Sequence, residues 1–388
     1  MQTIAIVLNT SWNIYNFRLN LMKSLSKEGY RVVAIAPKDE YSSKLEEEGF
    51  EWIELGLDND STNPLKELMQ IKMFLSVYKN LRPDFLLQYT IKPNIYGTLA
   101  AKVLGIPVIN NVSGLGTIFL NKGLSSKIAK ILYRFSFRFA DDIFFQNRDD
   151  QKVFLKHKMI KVNRSHVIPG SGINSKRFAP IAVTKSKEDK VVFLMIARLI
   201  GEKGVLDYID AIKILKQKKY DLKFLLIGSL YPKNPSAISE ALLNEWIEDG
   251  IIEYLPFSDK MEEVIARADC VVLPSYREGL SRVLLEAASM EKPIVTTDVA
   301  GCRDVVEHGV NGFLCDVRNA LSLATQMEKF VQLSFEEREK MGILGRKKIL
   351  NEFEETVVIE KYMSTIKNRL QIGMFKREQA AKKALDHF

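Results

Sequence analysis

At 388 residues and roughly 150 residues per domain, the chain has room for about two to three domains, and 46% hydrophobic with 27% charged residues excludes a disordered or fibrous polypeptide. Fifty-six Lys plus Arg against 48 Asp plus Glu leave a net charge of +8, which admits anionic partners such as nucleotides or phospholipid headgroups without choosing among them. Cys270, Cys302 and Cys315 stand too far apart for a redox or metal-ligand pair, so neither a disulfide framework nor a zinc site is indicated and a reducing cytosol is expected.

Met1-Gln2-Thr3 leads straight into Ile4–Leu8, with no basic leader and no small-residue cleavage site, and this run reads as a first strand. Later apolar runs such as Val191–Ala197 fall far below the ~20 residues that span a bilayer, so any membrane contact is expected to be peripheral. Short β-branched runs alternate with amphipathic stretches in the pattern of strand, crossover helix and parallel strand. A helix is predicted over Phe17–Glu28, a strand over Arg31–Ala36 and a helix around Ser42–Glu48. Strands follow near Trp52–Leu55, Phe85–Gln88, Val108–Asn111 and Asp142–Gln146. Pro169-Gly170-Ser171-Gly172 and the lysine-rich stretch Pro180–Lys190 mark a linker. Beyond it come strands Val191–Ala197, Phe224–Ile227, Ile252–Leu255, Cys270–Leu273, Ile294–Thr297 and Gly312–Cys315, with helices such as Val205–Lys216 and Ala237–Glu248 between them. After Asp316 the chain turns helical and charged, including Phe353–Leu370. The expected fold is α/β, with two Rossmann-like doubly wound domains facing across a cleft. Residues 1–175 form the first domain, 185–350 the second, and 351–388 a helical segment packing back toward the first. Ligands of such sheets bind at the carboxyl ends of the strands.

The most informative segment is Ser275-Tyr276-Arg277-Glu278-Gly279-Leu280-Ser281-Arg282-Val283-Leu284-Leu285-Glu286-Ala287. A strand ending at Leu273 puts Glu278 at the carboxyl edge of the sheet and Glu286 two turns into the next helix, so both carboxylates can face one ligand. The loop amides of Leu280 and Ser281 then form an anion site favoured by the helix dipole. Two isolated glutamates are more often a helix cap and a solvated helix residue. Their surroundings decide otherwise. Ala197-Arg198-Leu199-Ile200-Gly201-Glu202-Lys203-Gly204 directly follows a strand, and two cations beside glycines that admit close backbone approach suit a diphosphate. An Arg and a Lys alone in a loop are usually surface charge.

Arg198 and Lys203, the E-x7-E pair Glu278 and Glu286, and the run from Val299-Ala300-Gly301-Cys302-Arg303-Asp304 to Leu314 closely resemble the retaining family-4 glycosyltransferases of the GT-B fold, over nearly the whole chain. Tyr89-Thr90-Ile91-Lys92-Pro93-Asn94-Ile95-Tyr96-Gly97 and Ser113-Gly114-Leu115-Gly116-Thr117 are similar to the bacterial branch that builds capsule, O-antigen and lipid-linked N-glycan precursors, which includes PglA-type N-acetylgalactosaminyltransferases. The resemblance implies that Arg198 and Lys203 bind the donor diphosphate, that Glu286 holds the ribose hydroxyls and that Glu278 contacts the donor sugar. Amides of Gly279, Leu280 and Ser281 complete that site, and Gly228 and Leu255 to Phe257 line the nucleotide pocket. A UDP-sugar donor, a metal-independent reaction and a polyprenyl-diphosphate-linked saccharide acceptor at the inner face of a bacterial plasma membrane are implied with them.

Two departures matter. Asn9-Thr10-Ser11-Trp12-Asn13 stands where many relatives have a Gly-rich loop, which assigns Asn13 or Asn16 to the acceptor, and Ser113 stands where many have a histidine. Lys92, Asn94, Ser113, Gly114 and Gly116 are further acceptor-side candidates. The four histidines, His157, His166, His308 and His387, fall outside the expected catalytic loops and are read as surface residues. Asp58-Asn59-Asp60 matches a carboxylate-x-carboxylate metal pattern but sits in a polar turn before Pro64, where an Asx-rich loop is the better reading. In Lys122–Phe139, Lys127, Lys130, Arg134 and Arg138 interleave with apolar side chains, a pattern that suits either an anionic lipid surface or an ordinary core helix. Dispersed basic residues without a recognition motif argue against nucleic acid, and no G-x-G-x-x-G follows the first strand, which argues against an NAD dehydrogenase. The alternative within enzymes is a nucleotide-sugar 2-epimerase of GT-B-like fold.

Overall fold

A computed structural model describes residues 1–57, 64–115, 124–182, 190–218, 220–255 and 258–385. Asp58, Asp60, Gly116, Lys122 and Phe257 therefore lie outside the described residues. The chain divides into two compact units, Met1–Ser171 with Thr356–Phe388, and Gly172–Glu355.

The first unit is built on β1 (Thr3–Val7), β2 (Arg31–Ala36), β3 (Glu51–Glu54), β4 (Phe85–Tyr89), β5 (Val108–Val112), β6 (Asp142–Phe145) and β7 (Ser165–Val167). These lie in the order β3-β2-β1-β4-β5-β6-β7, every neighbouring pair parallel. A parallel sheet is covered on both faces, which is why β1, β4 and β5 are buried along their whole length, the polar Gln88, Asn110 and Asn111 included. Ala5, Val7 and Leu86 pack with Phe74, Tyr78, Ala100, Tyr133 and Phe137. On the opposite face Ile4, Ile6 and Leu87 pack with Ile14, Leu21 and Leu25, and with Val358, Tyr362 and Ile366 of the terminal helix Glu355–Leu385. That helix is pinned by polar contacts as well: Asn111 Nδ2 donates to Tyr362 Oη at 2.7 Å and Arg369 Nε to Asp142 Oδ2 at 2.6 Å.

The first helix departs from the sequence expectation. It runs Ser11–Lys27, six residues ahead of the predicted start at Phe17, with Thr10 as N-cap accepting from Asn13 N at 3.1 Å. Asn13 and Asn16 are thus helical residues of its first two turns, not loop residues.

The second unit contains β8 (Val191–Ile196), β9 (Leu222–Ile227), β10 (Glu253–Leu255), β11 (Cys270–Leu273), β12 (Ile294–Thr297) and β13 (Gly312–Cys315), in the order β10-β9-β8-β11-β12-β13 and again parallel. The order reverses between β8 and β11, so the loops leaving the carboxyl ends of these two strands flank the switch point where such sheets take ligands. All three cysteines are buried and free, and burial pushes the thiols of Cys302 and Cys315 up to about 12.

Candidate active site

The loop after β8 carries Arg198 and Lys203, and the loop after β11 carries Glu278. Backbone closes these two loops on each other. Gly201–Lys203 is a 3₁₀ turn, Glu202 O accepts from Tyr276 N at 2.9 Å, and Ser275 Oγ donates to the same carbonyl at 3.3 Å. Gly204 ends the turn at φ +73°, where a Cβ would lie 2.1 Å from Pro274 O. This geometry demands glycine both for its left-handed backbone and for its space.

Locked in this way, Lys203 Nζ forms an ion pair with Glu278 Oε1, the two side chains being 19% and 12% exposed. The structure thereby brings together two residues that the sequence assigned to different parts of one ligand. A pair this far out of water is short of hydration, and any entering anion would compete with Glu278 for the ammonium. Arg198 stands apart from that pair. It is exposed, its guanidinium lies 5.4 Å from the Tyr231 ring centroid, and among the described residues no carboxylate pairs with it.

Glu286 lies in the helix Arg282–Ser289. Arg282 Nε donates to Glu286 Oε1 at 2.9 Å. Burial holds the Glu286 carboxyl above its ordinary range, and Arg282 works against that shift. Arg282 has no role in the sequence-based site, although its spacing of four from Glu286 was legible.

One part of the expected anion site is corrected. Ser281 N donates to Gly301 O at 3.2 Å, and Glu278 N donates to Ala300 O at 3.3 Å, so the Ser281 amide is already committed and is not available to an anion. The loop lies against Gly301, whose added Cβ would be 2.7 Å from both Glu278 O and Gly279 O at φ +77°. Ser281 makes no side-chain cap hydrogen bond, so it leaves the amides at the start of the helix uncapped by a side chain.

The remaining candidates fall variously. At Gly228 an added Cβ would meet Ala197 O at 1.7 Å, so the close approach of the segments leaving β8 and β9 is itself enough to require glycine. Leu255 belongs to the hydrophobic core of its unit, leaving its backbone as the part it can offer a ligand. In the first unit, Lys92 pairs with Glu67 at 2.7 Å. Asn94 is 1% exposed and donates to Asn111 O at 2.8 Å, which makes it an internal tie between loop and strand and no surface contact. Asn13 Nδ2 donates to Asn9 Oδ1 at 3.2 Å and Asn16 Nδ2 to Trp12 O at 3.0 Å, both half-buried. Ser113 is exposed, beside Gly114 at φ +143°. His166 also departs from a surface role, since it contacts Asp142 at 2.9 Å.

The family Glycosyl transferases group 1 matches residues 177–348, and Glycosyl transferase 4-like matches residues 3–147. The chain belongs to the group 1 glycosyltransferases and has the GT-B fold. It is 31% identical over 376 residues to the N,N'-diacetylbacillosaminyl-diphospho-undecaprenol alpha-1,3-N-acetylgalactosaminyltransferase of Campylobacter jejuni, with 93% of this chain and 97% of that one covered. To the UDP-Gal:alpha-D-GlcNAc-diphosphoundecaprenol alpha-1,3-galactosyltransferase of Escherichia coli it is 24% identical, covering 65% and 68%. Among solved structures, Anabaena HepE in complex with UDP and glucose shares the fold with a TM-score of 0.78 at 17% identity, over 95% of this chain and 100% of that one.

Proposed function

We propose that this glycosyltransferase moves an N-acetylhexosamine such as GalNAc, with retention, from a UDP-sugar to a polyprenyl-diphosphate-linked saccharide. The observation that carries the reading is the match to the Campylobacter enzyme over nearly its whole length. The second unit is assigned the nucleotide sugar and the first the acceptor. Breaking the bond between the anomeric carbon and the phosphate builds negative charge on the leaving diphosphate. Lys203, Arg198 and the first amides of the helix Arg282–Ser289 are the preorganised positive groups for it. Glu286 accepts from the ribose hydroxyls and Glu278 from the donor sugar, with Gly279 and Leu280 beside it. The epimerase alternative gains no support from these relatives. The test is a donor screen with purified polyprenyl-diphospho-saccharides, reading UDP release with and without acceptor. Acceptor-dependent release from UDP-GalNAc is expected, and acceptor-independent conversion of the sugar nucleotide to an epimer would overturn the reading.

Charge neutralisation by side chains also predicts turnover in EDTA at close to the untreated rate. Loss of activity on chelation, with recovery in manganese, would move the leaving-group role to a cation and bring Asp58 and Asp60 back into consideration.

A lipid acceptor requires the protein to work at a membrane, and among the described residues no helix is long and apolar enough to cross one. The helix Leu124–Ser136 supports peripheral attachment at the cytoplasmic face of the bacterial plasma membrane. Its inward side buries Ala129 and packs Tyr133 into the core of the first unit, with Phe137 just past its end. Outward it presents Ile131 at 67%, Phe135 at 51% and Ile128 at 49% exposure, together with exposed Lys127, Arg134 and Arg138 at its end. Each cation near anionic lipid contributes about 1 kcal/mol, and the apolar side chains add insertion into the headgroup boundary. Lys127→Glu, Arg134→Glu and Arg138→Glu combined should therefore lower binding to anionic liposomes by about tenfold or more while sparing UDP affinity. Undiminished liposome binding by the folded triple variant would make this helix ordinary scaffold.

A further inference from the structure

We propose that Arg282 is a positioning residue for the nucleotide: it fixes Glu286 in one rotamer with a free oxygen presented to the ribose. The inference rests on the assignment of Glu286 to the ribose hydroxyls. A carboxylate that must accept from two vicinal hydroxyls has to be ionised, held still, and left with unused lone pairs. Arg282 meets each requirement. Its Nε donates to Glu286 Oε1 at 2.9 Å, which leaves Oε2 unused by that contact. Its Nη1 reaches Gly172 O at 3.4 Å, so the guanidinium is anchored on backbone outside its own helix and cannot simply follow the carboxylate. The two side chains are 24% and 12% exposed, little enough for the ion pair to escape most solvent screening.

Helix stability does not explain an arginine here. Arg282 is the first residue of its helix, where the macrodipole disfavours a cation, and an Arg placed N-terminal to its Glu partner is the weaker order for an i,i+4 pair. The residue stands in a locally unfavourable place with its charge directed at Glu286. Among the described residues, the other charged groups facing Glu286 are Arg177, from the segment before Phe178, and Glu262, from the helix Met261–Ala266. Those two are occupied with each other, Arg177 Nη2 lying 3.3 Å from Glu262 Oε2 and 3.0 Å from Asp259 O. Among the described residues, Arg282 is thus the cation in direct contact with the carboxylate.

The experiment measures binding of UDP and of 2′,3′-dideoxy-UDP to the full chain and to Arg282→Gln, Arg282→Lys and Glu286→Gln. Arg282→Gln should weaken UDP by about tenfold, the size of a lost charge-assisted hydrogen bond, and leave the dideoxy nucleotide within about twofold. Arg282→Lys should recover part of the loss, because it restores the charge without the fork. The pH at which UDP affinity falls on acidification should rise in Arg282→Gln, since burial already favours protonated Glu286 and its contact cation is gone. Equal weakening of both nucleotides by Arg282→Gln, or of neither, overturns the role of Arg282. If Glu286→Gln itself fails to distinguish UDP from its dideoxy analogue, the ribose assignment is what fails.

Discussion

Lys203→Ala is expected to lower kcat about 100-fold or more while moving the donor KM much less, because a contact to developing phosphate charge acts mainly in the transition state. Removal of the ammonium also strips Glu278 of its ion-pair partner in a place where the carboxylate is only 12% exposed, adding repulsion toward the incoming diphosphate. Arg198→Ala should do less harm, since Arg198 is exposed and lies against the Tyr231 ring. The double variant Lys203→Ala, Glu278→Gln separates the two effects: neutralising the stranded carboxylate should remove the part of the donor KM rise that repulsion causes, without restoring kcat. Steady-state kinetics on variants with an unchanged thermal midpoint decide the matter. An unaltered kcat in Lys203→Ala removes this residue from the leaving-group site.

Fold and site were legible in the sequence to different depths, for physical reasons. Val191–Ile196 and Cys270–Leu273 could be read to within a residue because central strands of a parallel sheet are buried on both faces and appear as continuous apolar runs. β7 leaves no sequence signal: Ser165-His166-Val167 is three residues long at the edge of its sheet, too short for any period to register. The early start of the first helix is hidden in the sequence because Ser11-Trp12-Asn13 and Asn16 are weak helix formers. What decides its start is tertiary, with Ser11 and Ile14 buried and Thr10 capping. In the site, the motif residues were identifiable, but their mutual geometry was not. Lys203 and Glu278 meet across 75 residues of sequence, and the Ser281 amide is taken by a carbonyl twenty residues on. Arg282 does carry a local signal, its i,i+4 spacing from Glu286, but it stands outside the loop motif that points to a ligand.

Gly204→Ala should combine a loss of stability with a loss of activity, and Gly250→Ala provides the comparison that separates backbone strain from collision. Both glycines adopt left-handed backbone, at φ +73° and +61°, which an L side chain occupies at roughly 1–2 kcal/mol. At Gly250 nothing lies within 4 Å of the added Cβ, so that strain is the whole penalty and the thermal midpoint should fall by only a few degrees, at about 2–4 °C per kcal/mol for a unit of this size. At Gly204 the Cβ would sit 2.1 Å from Pro274 O, and backbone at the end of β11 cannot swing aside as a flexible side chain would. Either the 3₁₀ turn moves or the Pro274–Tyr276 segment does, and the hydrogen bond from Tyr276 N to Glu202 O that joins them is strained in both cases. Lys203 is the residue immediately before, so its ammonium leaves Glu278 and the proposed diphosphate position together. The expected result is a midpoint well below that of Gly250→Ala, and at temperatures where the variant remains folded, a kcat at least about tenfold down, since small misplacements of a catalytic group are amplified in rate. Equal midpoints for the two variants would mean that the loops tolerate the collision and that the close approach at Gly204 is not what holds Lys203 in place.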